Sequence, residues 1–173
     1  MTDVIKEGAF IPDMDLKAIV KEEIKDIKLS QLFADHSLMH PKDIKIVLFS
    51  VPGAFTPTCS AKHLPGYMTY AQAFKEKKVD QIVCLSVNDP FVMKAWCDVN
   101  KANNDIIFLA DGNATFSKAL GLTFDGGMYS LGIRGQRFAM ILNGLKVEKL
   151  FIEKPGVFDV SSAEKVLAYL SSN

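Results

Sequence analysis

The sequence predicts an α/β fold: a mixed central sheet with helices on both faces, formed by one domain spanning residues 1–173. Three observations predict it. Short β-branched apolar runs recur along the chain, segments of helical period separate them, and Asn143-Gly144 lies between two later apolar runs as a hairpin signal. Strands alternating with helices give parallel strands joined by crossovers, and the hairpin adds antiparallel strands.

The elements follow in order. "FADHSLMHPKD" (33–43) is polar and reads as a loop. "KIVLFSV" (45–51) is a buried strand, and "QIVCLSV" (81–87) repeats its character. Between them Tyr67, Tyr70, Ala71 and Phe74 fall at the spacing of an amphipathic helix. In "NDPFVMKAWCDVN" Asp89 is the expected N-cap and Pro90 the first helical residue, with Val92, Ala95, Trp96 and Val99 as the apolar stripe. "IIFLA" (106–110) is a third strand. "DGNATFSKALG" is a turn and a short helix stopped at Gly121. "RFAMIL" (137–142) and "KVEKLFIE" (146–153) form the hairpin, and Ser161 with Glu164 makes a capping box for the last helix.

Composition excludes several function classes. The chain has 20 basic and 20 acidic residues and is 49% hydrophobic, with no charge excess to suit nucleic acid or an acidic membrane. No apolar run approaches the roughly 20 residues that span a bilayer. "MTDVIKEGAF" has acidic residues and no apolar core, unlike a signal peptide. Three cysteines without a C-x-x-C pair fit a reducing compartment rather than a disulfide framework. A cytoplasmic location is expected, or an organelle if a presequence has been removed. Cys59 and His63 lie four residues apart, but no second Cys/His pair is near enough in sequence to complete a metal site.

The chemistry concentrates in "FSVPGAFTPTCSAKHLPG" (49–66). A strand ends, a Pro/Gly turn follows, and Cys59 opens the next helix. At a helix start the unpaired N–H groups and the dipole stabilise an anion, so the thiolate is favoured. Pro57 suits the first turn because its missing N–H would be unpaired there. Thr56 brings a hydroxyl near the sulfur or a bound substrate oxygen, Pro52 shields the sulfur without adding a donor, and Pro65 should kink the helix one to two turns on. The alternative is a small buried cysteine in a proline-rich turn.

Pro52, Thr56 and Cys59 match P-x-x-x-T-x-x-C, and with "VPGAFTPTCSAKHLPGY", "CLSVNDPFVMKAW" and "LADGNATFSKALGL" the chain resembles the peroxiredoxins (the thiol-specific antioxidant family), in their type-5 or plant type II subfamily. The resemblance runs from about residue 42 to the end. It implies a thioredoxin-like fold with an N-terminal extension, and thiol-dependent reduction of hydrogen peroxide and alkyl hydroperoxides without metal or organic cofactor. It implies that Cys59 is the peroxidatic cysteine, Thr56 the peroxide-contacting threonine and Pro52 the shielding proline. The family arginine has two candidates, Arg134 and Arg137; Arg137 directly precedes the apolar strand and is matched to it, leaving Arg134 a supporting or solvated charge. His63 is expected to play a polar structural role rather than that of a base.

The sequence departs from the animal pattern in having Ser161 and Ser162, not a cysteine, where those relatives place the resolving thiol. Cys84 is mid-strand and reads as core, and Cys97 as structural or incidental. The expectation is a one-cysteine cycle, with Cys59 sulfenic acid reduced by an external thiol, either glutathione with glutaredoxin or thioredoxin. Type-5 members commonly dimerise, so a homodimer is expected, and Trp96, Val99 and the "TFDGGMYSLG" loop could line a pocket or subunit contact. The competing classes are a redox-sensing or chaperone-like binding protein without efficient turnover, and a dithiol oxidoreductase, which the missing C-x-x-C disfavours.

Overall fold

The computed structural model describes residues 2–34, 44–102 and 104–173. The chain runs β1 (Asp15–Val20), β2 (Glu23–Lys28), α1 (Gln31–Ala34), β3 (Lys45–Val51), a π-turn (Cys59–His63) continuing into α2 (Leu64–Thr69), α3 (Ala71–Glu76), β4 (Gln81–Ser86), α4 (Pro90–Asn100), β5 (Ile106–Ala110), α5 (Thr115–Ala119), β6 (Thr123–Asp125), β7 (Ile133–Gly135), β8 (Phe138–Asn143), β9 (Lys146–Ile152) and α6 (Ala163–Ser172). From residue 35 to 43 the expected loop lies outside the described residues; residues 33 and 34 end α1.

Seven strands form one sheet in the order β2-β1-β5-β4-β3-β8-β9, and β6 pairs with β7 in a second sheet. β3, β4 and β5 are parallel, while β8 and β1 run antiparallel to the strands they flank. The parallel strands are buried on both faces, which is why they read as continuous apolar runs. Phe49, Val51, Cys84 and Phe108 face one layer, against Tyr67, Phe74, Met93, Trp96 and Val166 of α2, α3, α4 and α6. Ile46, Leu48, Val83 and Leu109 face the other, against Phe116 of α5 and Leu29 and Leu32 near α1. The carboxyl ends of β3 and β4 open beside the 52–58 turn and the start of α4, where an α/β sheet presents functional groups.

Several expectations need correction. The β1–β2 hairpin is absent from the sequence reading because its turn is Lys21-Glu22, both left-handed (φ 48° and 71°), without the Gly or Asn that usually marks it. The 67–74 helix is two helices meeting at Tyr70, though Tyr67, Ala71 and Phe74 are buried as their spacing requires. The buried stripe of α4 is Met93, Trp96 and Cys97; Val99 is 71% exposed, so Trp96 and Val99 do not share a face. The cap of α6 is Ser162, whose Oγ accepts from Lys165 N; the Ser161 hydroxyl instead donates to Glu153. Asp89 caps α4, accepting from Phe91 N and Val92 N, and Gly144 takes φ 56° in the β8–β9 turn.

Candidate active site

The site begins where β3 runs out. Gly53 brings the turn against its neighbours: a Cβ there would lie 2.8 Å from Arg134 Nη1 and 3.0 Å from Thr56 Cγ2. Phe55 is left-handed at φ 64°, which costs a non-glycine residue about 1–2 kcal/mol. Neighbouring bonds hold it there. Ala54 N donates to Asn88 Oδ1 (2.9 Å), and Thr56 N and Oγ1 both donate to Gly53 O (3.3 and 2.6 Å). Arg134 braces the turn from the β7 side, with Nε on Leu131 O and Nη1 on Pro52 O.

Pro57 and Thr58 begin the helix, and Cys59 starts its π-turn. Leu64 N–H reaches back to Cys59 O, five residues away, just ahead of Pro65. Pro65 has no N–H for the carbonyl four residues back, and its ring crowds that carbonyl, so the expected kink takes the form of a widened turn. Trp96 Nε1 donates to Ser60 Oγ (3.0 Å), fastening this turn to α4.

Cys59 is fully buried, and Arg137, directly before β8, donates from Nη2 to Cys59 Sγ at 3.3 Å. Arg137 Nη1 lies 2.9 Å from His63 Nδ1. Arginine only donates, so His63 Nδ1 is the acceptor and its proton sits on Nε2, which donates to Ser161 O at 3.0 Å. Burial, and then the Arg137 charge, push the His63 pKa from 6.5 down to about 3, opposed by the bond to Ser161. Phe49, Tyr67 and Phe158 surround the imidazole, with Phe158 edge-on at 5.0 Å between centroids. Phe158 also lies 5.8 Å from Arg137 Cζ.

The C-terminal loop closes the site from behind. Glu153, nearly buried, accepts Asp159 N, Val160 N, Ser161 N and Ser161 Oγ at 2.6 to 3.1 Å. Ser161 O receives Tyr67 OH at 2.7 Å as well as the histidine. Glu153 is missing from the sequence reading; its only signal is a lone acid ending an apolar strand ahead of two serines. Asn88 leaves no signal at all.

The structure thus gathers Cys59, Arg137 and His63, with Pro52 and Thr56 in the turn that delivers them. The proton of Thr56 is committed to Gly53 O, so toward a peroxide its oxygen can act as acceptor. Arg134 reaches the turn and not the thiol. Cys84 is fully buried beside Phe49, with its pKa driven well up by burial and then by Cys59 and Cys97. Cys97 is pushed up to about 12, by burial and then Asp98. The atoms a metal would take from the Cys59/His63 pair both face the Arg137 guanidinium, and among the described residues no cluster of three His, Cys, Asp or Glu could hold an ion. Among those residues no helix is long and apolar enough to cross a membrane.

The redoxin family matches residues 9–167. Peroxiredoxin-2C of Oryza sativa subsp. japonica is 52% identical over 163 residues, covering 94% of this chain and 96% of its own. The reduced Prx3 of Vibrio vulnificus in complex with hydrogen peroxide superposes with TM-score 0.86 at 45% identity, over 96% of this chain and 99% of its own. The 1-Cys peroxiredoxin (antioxidant protein) of Plasmodium falciparum superposes with TM-score 0.85 at 31% identity, over 98% of this chain and 100% of its own.

Proposed function

The chain belongs to the redoxin family and is a thiol-dependent peroxidase of its peroxiredoxin branch, and from that premise we propose which of its residues carry the reaction. Cys59 is the peroxidatic nucleophile. Its thiolate attacks the hydroxyl oxygen of the peroxide. An S–O bond forms, the O–O bond breaks, and the departing oxygen leaves with the electron pair and takes up a proton as water or alcohol. Cys59 becomes a sulfenic acid.

The observation that carries this reading is the forked contact of Arg137, with one arm on Cys59 Sγ and the other on neutral His63. Negative charge begins on sulfur and ends on the leaving oxygen. A guanidinium held against the sulfur by its second arm on His63 stabilises that redistribution without reorganising. Thr56, its own proton on Gly53 O, accepts the peroxide O–H and so orients it. Pro52, half-buried at the end of β3, limits water without adding a competing donor.

The cycle we infer uses one cysteine. Ser161 and Ser162 offer no resolving thiol, and Cys84 and Cys97 are buried with their thiols held protonated. An external thiol, supplied by glutathione with glutaredoxin or by thioredoxin, completes turnover. Phe55, Phe91, Met128 and Tyr129 are each exposed, and we assign them to contact with a second copy in a homodimer. The reducing chemistry fits the cytoplasm or an organelle; Peroxiredoxin-2E of Arabidopsis thaliana, 38% identical, is named as chloroplastic.

The test is one equivalent of hydrogen peroxide with a dimedone-type trap, read by intact and peptide mass. The expected result is one rapid adduct on Cys59 and thiol-driven turnover. An adduct without turnover favours the redox-sensing or chaperone-like reading, and no adduct overturns the assignment of the nucleophile.

A further inference from the structure

We propose that Glu153 is a positioning residue for the peroxide reaction: it knots the 153–161 loop so that Ser161 O fixes the His63 tautomer and Phe158 covers the guanidinium, which together aim Arg137 at Cys59. The inference rests on the peroxidase reading of Cys59 and Arg137 and extends it to a carboxylate that touches neither.

The geometry begins at the hairpin. Glu153 N donates to Arg137 O at 3.1 Å, one step beyond the last β8–β9 pair, Phe138 with Ile152. The backbones of the two residues are therefore tied across the ladder. The carboxylate then turns to the loop that follows and accepts three backbone N–H groups and one hydroxyl. A nearly buried carboxylate with four donors holds a loop far more rigidly than an apolar side chain would.

Two parts of that loop act on Arg137. Ser161 O accepts His63 Nε2–H, and this leaves Nδ1 as the lone pair that receives Arg137 Nη1. If the carbonyl moved away, the proton would be free to shift to Nδ1, where it would point at a guanidinium that only donates. Phe158 stands over both partners, 5.0 Å from the His63 ring and 5.8 Å from Arg137 Cζ, keeping water from replacing either contact. The chain of bonds runs from Glu153 through Ser161 and His63 to Arg137 and ends on Cys59 Sγ.

The experiment combines kinetics with nitrogen NMR of the His63 ring. In the wild type the ring should be neutral with its proton on Nε2 at pH 7; a proton on Nδ1 would overturn the proposal without any variant. Glu153→Gln places an amide N–H among donors, and the second-order rate with hydrogen peroxide should fall about tenfold, as for one lost well-placed hydrogen bond. The milder Ser161→Ala removes only the hydroxyl from the knot and should cost about twofold to fourfold; it serves if Glu153→Gln does not fold. In a His63→Leu background, where neither bond of the relay can form, either change should add less than about twofold. Losses that multiply in that background would show that Glu153 does not act through His63 and would overturn the relay. Failure of the peroxidase reading is distinguishable, since the wild type would then be unreactive toward peroxide while the His63 tautomer stayed as described.

Discussion

Acidification should unfold this protein through His63. The imidazole is buried among Phe49, Tyr67 and Phe158 and faces the Arg137 guanidinium, so its pKa falls from 6.5 to about 3. The folded value lies below the unfolded one, so between them the unfolded chain binds a proton that the folded chain refuses. The contribution is intact above about pH 6.5 and is lost as pH falls toward 3, at about 1.4 kcal/mol per pH unit. Across the whole window the loss is on the order of 5 kcal/mol, comparable with the entire stability of a marginal domain. The assay is urea denaturation of wild type and His63→Gln at pH 7, 6, 5 and 4. Groups common to both chains cancel in the comparison. The wild-type stability should fall more steeply than the variant by one proton's worth per pH unit below pH 6. A constant penalty from the substitution shifts one curve without changing its slope. Parallel curves, or an imidazole that titrates near 6.5 by NMR, would refute the reasoning.

Other changes separate the roles within the site. Arg137→Ala should slow the peroxide step by a factor of about 10² to 10³, or about 2.7–4 kcal/mol by analogy with loss of one oxyanion donor, while Arg134→Ala, which braces the turn through Pro52 O and Leu131 O without reaching the thiol, should cost about tenfold; the reverse order in stopped-flow rates would exchange the two arginines. Gly53→Ala should push Arg134 off the turn, giving a loss near that of Arg134→Ala with little change in Tm, and full activity would show that the brace is idle. Cys84→Ser/Cys97→Ser should keep most of its turnover with glutathione and glutaredoxin; a stoichiometric Cys59–Cys84 or Cys59–Cys97 disulfide in the wild type, with turnover lost in the double variant, would replace the one-cysteine cycle with a two-cysteine one.

The parallel heart of the sheet is legible in the sequence because strands buried on both faces must be largely apolar, as 46–51 (Ser50 apart) and 106–110 are. The cysteine turn is legible because prolines and a glycine so close to a helix start restrict the backbone strongly. The β1–β2 hairpin is not, since β2 is an edge strand with alternating charge and its turn lacks the usual residues. The stripe of α4 sits one step from its sequence pattern because Cys97 buries like an apolar residue while Val99 faces outward. Bringing Arg137 to Cys59 depends on pairing β8 beside β3, a contact between residues 78 apart that no local pattern encodes. The reach of Glu153 around to Ser161 is set by a loop fold, and hydrogen-bond partners of that kind leave no periodicity to read.

The π-turn at Cys59–His63 behaves as a single-residue insertion in an otherwise regular helix. Removing one residue from Ser60–Lys62 would let the backbone relax to ordinary α-helical bonding. It would also turn Cys59 by about 100° about the axis relative to Leu64 and Tyr67, which stay anchored in the core. The shorter chain would gain regularity and swing its sulfur away from Arg137. Coding changes here are therefore unequal: substitutions at exposed Ala61 or Lys62 leave the phase of the helix untouched, whereas the loss of one codon in the same stretch re-phases the nucleophile against everything that activates it.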